Sequence, residues 1–207
     1  MNKISLCKEI LCWISQMPIA EDLYLEGGAA LNFVYEIRRR FSGDLDFTVP
    51  DRKIIKIFKE EYKSFAKKPS CYIEFPFDFT IVENKLFDWR WAKISTKKGD
   101  ILIKTHTMED IIAEKICCVL SSDRIEYKDV IDINKVISKV KIEKLKGIVL
   151  RKIKAKFQGS RKEVLVDLFT GKKQKFLKNA SSNGYGLKNF NNNYFDATRL
   201  IKKLLLK

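Results

Sequence analysis

The residues of this chain best suited to chemistry are Asp44 and Asp46, one residue apart in Gly43-Asp44-Leu45-Asp46-Phe47. Side chains of a β-strand alternate between faces, so both carboxylates fall on one side and Leu45 and Phe47 on the other. Like charges this close oppose joint ionisation unless a divalent cation lies between them. Hard oxygen ligands favour Mg²⁺ shared with phosphate oxygens. Upstream, Gly27-Gly28 ends a short apolar run and opens a helical pattern. Glycines let a backbone approach a phosphate closely, and a helix start presents unpaired N–H groups and the positive end of its dipole. Gly-Gly before a helix is also what a plain tight turn looks like, and Asp-x-Asp is also what an exposed strand edge looks like. The two together, with Arg40 and Ser42 just ahead of the acids, indicate a metal-bound phosphate site.

The elements that must position these residues follow from periodicity. An amphipathic helix is predicted over 3–17, with Ile4, Cys7, Ile10, Leu11 and Ile14 at helical spacing and Pro18 just past its end. A short strand over 23–26 leads into the glycine pair, and residues 29–38 bring Ala30, Leu31, Val34 and Ile37 onto one helical face. Arg38 and Arg39 read as basic residues stabilising a helix C-terminus. An exposed helix is expected over 51–67, with Ile54, Ile55, Ile57, Phe58 and Tyr62 inward. Three strand-like segments follow, 71–82, 86–95 and 100–105. Within them Phe87, Trp89 and Trp91 alternate with Asp88 and Arg90. Aromatics can stack on bases, but on a strand the expectation is sheet-face core. His106, just ahead of a helix, could serve as a general base but reads rather as a turn or capping residue. Thr107-Met108-Glu109-Asp110 has the form of a capping box, with an apolar helix over 111–121 behind it. Lys115 sits amid Ile111, Ile112, Ile116, Cys117, Val119 and Leu120, where a lysine either reaches out to solvent or serves a fixed anion. From 141 onward the pattern is helical, with Ile142, Leu145, Ile148, Val149, Ile153 and Phe157 in one stripe. Further helices are predicted over 160–170 and 194–206, and the spacer over 179–193, rich in Asn, Ser and Gly, reads as a loop.

Taken together, Gly27-Gly28-Ala29-Ala30-Leu31 and then Arg40-Phe41-Ser42-Gly43-Asp44-Leu45-Asp46 resemble the nucleotidyltransferases of the abortive-infection toxin family, AbiEii/AbiGii type, in the polymerase-beta-like superfamily. The segment 110–133, with Ala113-Glu114-Lys115 and then Lys128-Asp129-x-x-Asp132, looks like the second block of that family. Lys128 stands where members often have Arg. The resemblance implies an α+β fold: a polymerase-beta-like core of mixed sheet flanked by helices over 1–106, then a basic helical bundle over 107–207 that completes the site with Lys115 and Asp129. It also implies roles. Asp44, Asp46 and Asp78 would hold Mg²⁺, with Glu74 the rival to Asp78, since residues four apart on a strand share a face. Gly27, Gly28, Arg40 and Ser42 would contact the phosphates of an NTP. Lys115 would hold the triphosphate, Asp129 would orient Lys115 or the acceptor, and Asp132 would support the same site. The activity implied is nucleotidyl transfer to RNA, tRNA 3′ ends among the acceptors, by a bacterial toxin with a cognate antitoxin. Nucleotidylation of a protein or small molecule, and a module that binds RNA or antitoxin without catalysis, are the alternatives.

Composition bounds these readings. The chain has 207 residues, enough for a real core, and 45% hydrophobic residues. No apolar run reaches the length of a membrane span, and 1–10 lacks the build of a signal peptide, so a cytoplasmic protein is expected. Five cysteines with no C-x-x-C, and one histidine, argue against zinc and for reduced, mostly buried thiols. The net charge is +15, and residues 139–178 hold fourteen Lys or Arg against three acids. Such a field attracts polyanions by counterion release, which favours a nucleic-acid partner.

Overall fold

Alternating burial builds the N-terminal half of the chain around a five-stranded sheet. The strands are β1 (Tyr24–Glu26), β2 (Leu45–Val49), β3 (Phe77–Ile81), β4 (Trp89–Thr96) and β5 (Gly99–His106), in the spatial order β3-β2-β1-β5-β4. β1 pairs antiparallel with β2 and parallel with β5, β2 pairs parallel with β3, and β4 and β5 form an antiparallel hairpin. The structure is a computed structural model that describes residues 3–37, 44–66, 75–82, 87–185 and 187–206. It divides into two units, Met1–Thr107 and Met108–Lys207, each with its own core.

In the first unit one sheet face is apolar. Leu25, Leu45, Phe47, Val49, Ala92, Ile94 and Ile103 are buried there, with helices α1 (Lys3–Ile14) and α3 (Arg52–Ala66) supplying further apolar side chains. Phe58 of α3 lies 4.9 Å from Phe77, 5.0 Å from Phe79 and 6.4 Å from Phe47, and Trp13 of α1 stacks on Phe65 at 4.5 Å. Fully burying a side chain of this size contributes about 1.5–3 kcal/mol. Only Phe58 and Phe65 of α3 are buried, whereas Ile57 is 39% exposed. Phe58 leaves Ile57 on the outward side, so the apolar stripe is narrower than five inward residues. The opposite face carries polar side chains at alternate positions and holds the candidate site. Helix α2 (Gly27–Phe33) begins at the glycine pair itself and stops well short of 38. The N–H groups of Val34 and Tyr35 both bond to the Ala30 carbonyl, and Glu36 turns the chain away at φ 49°.

The second unit is helical: α4 (Met108–Leu120), α5 (Tyr127–Val136), α6 (Ile142–Lys156), α7 (Lys162–Gly171), α8 (Lys173–Ser182) and α9 (Phe190–Leu206). α4 is apolar around most of its circumference and is the central helix, packed on α5, α6 and α7. Three features of this unit were not expected. The spacer over 179–193 is mostly helix, divided between the end of α8, a 3₁₀ turn at Leu187–Asn189 and the start of α9. Its asparagines act in tertiary bonds: Asn179 Oδ1 accepts from the Tyr127 N–H at 2.9 Å, and Asn193 Nδ2 donates to the Tyr127 hydroxyl at 3.1 Å. Two lysines of the basic stretch are buried. Lys152 lies 3.2 Å from the fully buried Asp110 and 3.3 Å from Glu114, and Lys172 Nζ donates to the carbonyls of Val119 and Ser121 at the end of α4. There it meets the negative end of the helix dipole.

Cys7, Cys12 and Cys117 are buried free thiols, and Cys118 is half-buried. Burial pushes the Cys7 and Cys117 thiols up to about 12, which keeps them protonated. Cys71 lies outside the described residues. Among those residues no helix is long and apolar enough to cross a membrane.

Candidate active site

The polar face of the sheet is built by register. Glu26 pairs with Asp46 across β1 and β2, and Asp46 pairs with Asp78 across β2 and β3, so three carboxylates form one row over three strands. Asp44 stands just before β2 with the parity of Asp46. Asp44, Asp46 and Asp78 each bring an oxygen into a group whose members lie within 4.8 Å of one another. Asp78 is exposed and the other two are half-buried. Three carboxylates at this spacing repel one another, and a divalent cation removes that repulsion. An all-oxygen set open on one side fits Mg²⁺, which binds a few carboxylates and keeps positions for phosphate or water. Among the described residues this is the one group of three or more acid, His or Cys side chains so arranged. Glu74, the rival third carboxylate, lies outside the described residues.

The glycine pair borders this cluster. Gly27 has φ +62°, a left-handed conformation costly for other residues, and a Cβ placed on it would lie 2.6 Å from Asp46 Oδ2. The strand-to-helix turn thus presses its backbone against the Asp46 carboxylate, and only a residue without a side chain leaves that carboxylate in place. Arg40 and Ser42 lie outside the described residues.

Glu26 is a member of the site that sequence reasoning passed over. Its carboxylate accepts from Thr48 Oγ1 at 2.7 Å and Thr80 Oγ1 at 2.9 Å, two residues along the strands from Asp46 and Asp78 on the same face. His106 Nε2 lies 3.7 Å from Glu26 Oε2. His106 is no turn residue: it ends β5, is buried, and stacks flat on Phe87 at 4.6 Å. The available signal was parity, since Glu26, Thr48 and Thr80 follow the same alternation as the acids.

The second unit holds the other candidate residues. Lys115 on α4 is buried, and its Nζ lies 2.8 Å from Asp129 Oδ1 and 2.8 Å from Asp132 Oδ2, both on the first turns of α5. Three residues apart on a helix, these acids share a face and clasp one ammonium. Burial alone would lower the lysine pKa, but the two carboxylates raise it, so the ammonium stays charged at any working pH. Arg124 Nε adds a bond to Asp129 Oδ2 at 3.2 Å. Of the two readings of Lys115, snorkelling to solvent is therefore set aside.

Comparison with known proteins places the chain. The family described as "Nucleotidyl transferase AbiEii toxin, Type IV TA system" matches residues 9–70 and 72–184, most of the chain. This chain belongs to the AbiEii nucleotidyltransferase toxin family. It is a nucleotidyltransferase of the toxin-antitoxin kind, and the family implies an antitoxin partner. The AbiEii match spans both the acid row and the Lys115 cluster. Among solved structures, JHP933 from Helicobacter pylori shares 14% identity at a TM-score of 0.47, with 100% of this chain and 95% of that one covered. A candidate nucleotidyltransferase from H. pylori shares 15% at 0.46, covering 100% and 98%. No curated protein matches.

Proposed function

We propose that this toxin transfers a nucleoside monophosphate from an NTP to the 3′ end of an RNA, with tRNA the acceptor class the family resemblance implies, in a Mg²⁺-dependent reaction. The observation that carries the reading is the row of Asp46 and Asp78 with Asp44 beside them, because three converging carboxylates are what a shared pair of divalent ions needs. Such ions would activate the attacking hydroxyl and neutralise the departing pyrophosphate. In the reaction the acceptor oxygen bonds to the α-phosphorus, the bond from that phosphorus to the bridging oxygen breaks, and pyrophosphate leaves with those electrons. The hydroxyl proton passes to a carboxylate or to water. Gly27 supplies a bare backbone beside Asp46 where a phosphate can approach. Thr48 and Thr80 tie Glu26 down beside the acid row. For Lys115 we infer the role the resemblance gives it, holding the triphosphate, with Asp129 orienting Lys115 or the acceptor and Asp132 supporting the same site. The basic stretch over 139–178, less the buried Lys152 and Lys172, supports an RNA acceptor through phosphate contacts.

The test is to incubate purified protein with total RNA and each α-labelled NTP in turn, with Mg²⁺ and with EDTA. Label should enter a small RNA only with Mg²⁺, and Asp46→Asn should reduce it by at least about 10²-fold while the protein remains folded. Full activity of that variant refutes the site, and label on protein instead of RNA refutes the acceptor.

A further inference from the structure

The polar face of the sheet continues past the acids to strands whose side chains the proposed chemistry does not use. Trp89 pairs with His106 across β4 and β5, and Trp91 pairs with Lys104, which in turn pairs with Tyr24 of β1. Tyr24 pairs with Thr48, and Thr48 with Thr80. Paired residues share a face, so Trp89 and Trp91 stand on the same side of the sheet as Asp46 and Asp78. Ala92 and Ile94, of opposite parity, take the core side. Contrary to the sheet-core expectation, Trp89 is 40% exposed and Trp91 45%, while Phe87 is buried.

The two indoles are held in place. Lys104 Nζ lies 4.8 Å from the Trp89 ring centre, 5.3 Å from that of Trp91 and 5.4 Å from that of Tyr24, and it donates to the Glu21 carbonyl at 2.7 Å. Tyr24 meets Trp89 edge-on at 5.6 Å and Phe87 at 5.0 Å. The result is a rigid pair of exposed rings around a fixed ammonium, on a chain of net charge +15. Exposed aromatics cost solubility unless they meet a partner, and flat exposed rings on a basic chain suit an unstacked base; Lys104, which also faces the Glu21 carboxylate at 3.8 Å, holds the rings rather than a phosphate.

We infer that Trp89 and Trp91 form a stacking platform for unpaired bases near the 3′ end of the RNA acceptor. This deepens the transferase reading and rests on it for the acceptor's identity. From β2 to β4 is three strand spacings, about 14 Å. A stacked strand advances about 3.4 Å per nucleotide, so the bases on the platform lie about four nucleotides back from the reacting hydroxyl, or fewer if the strand is extended. The platform thus selects single-stranded ends without reading sequence, because every base has a π-face.

The chain has three tryptophans, and Trp13 is packed against Phe65, so fluorescence reports the platform directly. Titration with an eight-nucleotide single-stranded RNA should quench emission, and an RNA duplex of the same sequence should quench far less. Removing both rings, Trp89→Ala with Trp91→Ala, should weaken binding of fluorophore-labelled RNA by about 5- to 150-fold for each base that loses its ring. The acceptor KM should rise while the NTP KM stays unchanged. The double Phe variant should keep most of the affinity, which separates lost stacking from lost folding. Unchanged RNA affinity in the Ala variant, or equal quenching by an NTP alone, overturns the platform even if transfer is intact. Quenching that survives in an Asp46→Asn protein, alongside a wild type that transfers nothing to RNA, would retain the platform and end the RNA-acceptor reading instead.

Discussion

Replacing Gly27 with Ala tests the tightest contact in the site. The left-handed conformation of Gly27, φ +62°, costs a residue with a Cβ about 1–2 kcal/mol. For a chain of this length such a loss lowers Tm by roughly 2–8 °C. The new methyl would also lie 2.6 Å from Asp46 Oδ2, against about 3.5 Å for an ordinary contact, so the carboxylate must retreat by about 1 Å. Misplacement on that scale costs about 10²-fold in rate. The expected outcome is therefore a folded protein with modestly reduced Tm, strongly weakened Mg²⁺ binding in calorimetry and transfer reduced about 10²-fold. A variant that melts lower but binds Mg²⁺ and transfers nucleotide at wild-type levels would refute the claim that the turn positions Asp46.

Two further outcomes are expected. Lys115→Met leaves the buried Asp129 and the half-buried Asp132 around a neutral side chain, which should cost about 3–5 kcal/mol in denaturant unfolding. Adding Asp129→Asn and Asp132→Asn should return part of that loss, and an NTP KM that stays raised in the restabilised triple variant would separate phosphate binding from stability. Glu114 contributes to the acid limb: burial would raise its carboxyl, but Lys156 and Lys152 hold it below its ordinary value of 4.5. A lowered folded value means this contribution is complete above about pH 4.5 and is lost as pH falls below it. Thermal melts between pH 3 and 6 should show a shallower acid slope for Glu114→Gln than for wild type; equal slopes would sink this assignment.

The placement of Asp44 and Asp46 was readable because a two-residue period needs no knowledge of neighbouring strands. Parity alone did not separate Asp78 from Glu74, which lies outside the described residues; Pro76 between them and the longer strand after it favoured Asp78. The register of β2 with β3, which puts Asp78 opposite Asp46, is a long-range property. The tryptophans failed as core for the same reason. Alternation told that Trp89 and Trp91 share a side, while the side that faces α1 and α3 is decided by Ala92 and Ile94 fitting beneath the helices. Lys152 looked like one more surface lysine because its partner Asp110 is remote in sequence. The asparagine-rich spacer read as loop because Asn side chains compete with helix bonds locally, but Asn179 and Asn193 direct those groups to Tyr127. The family resemblance was legible because it rests on local strings, Gly27-Gly28 and Asp44-Leu45-Asp46, that survive without tertiary knowledge.

β3 lies at the margin of the sheet, hydrogen-bonded on one side to β2 and bordered on the other by no strand among the described residues. An ion gripped by Asp46 and Asp78 together would act as a rivet, fastening the outermost strand to the interior one. Occupancy by cofactor and the integrity of that margin would then rise and fall together, and a toxin starved of magnesium would fray first where it handles its nucleotide.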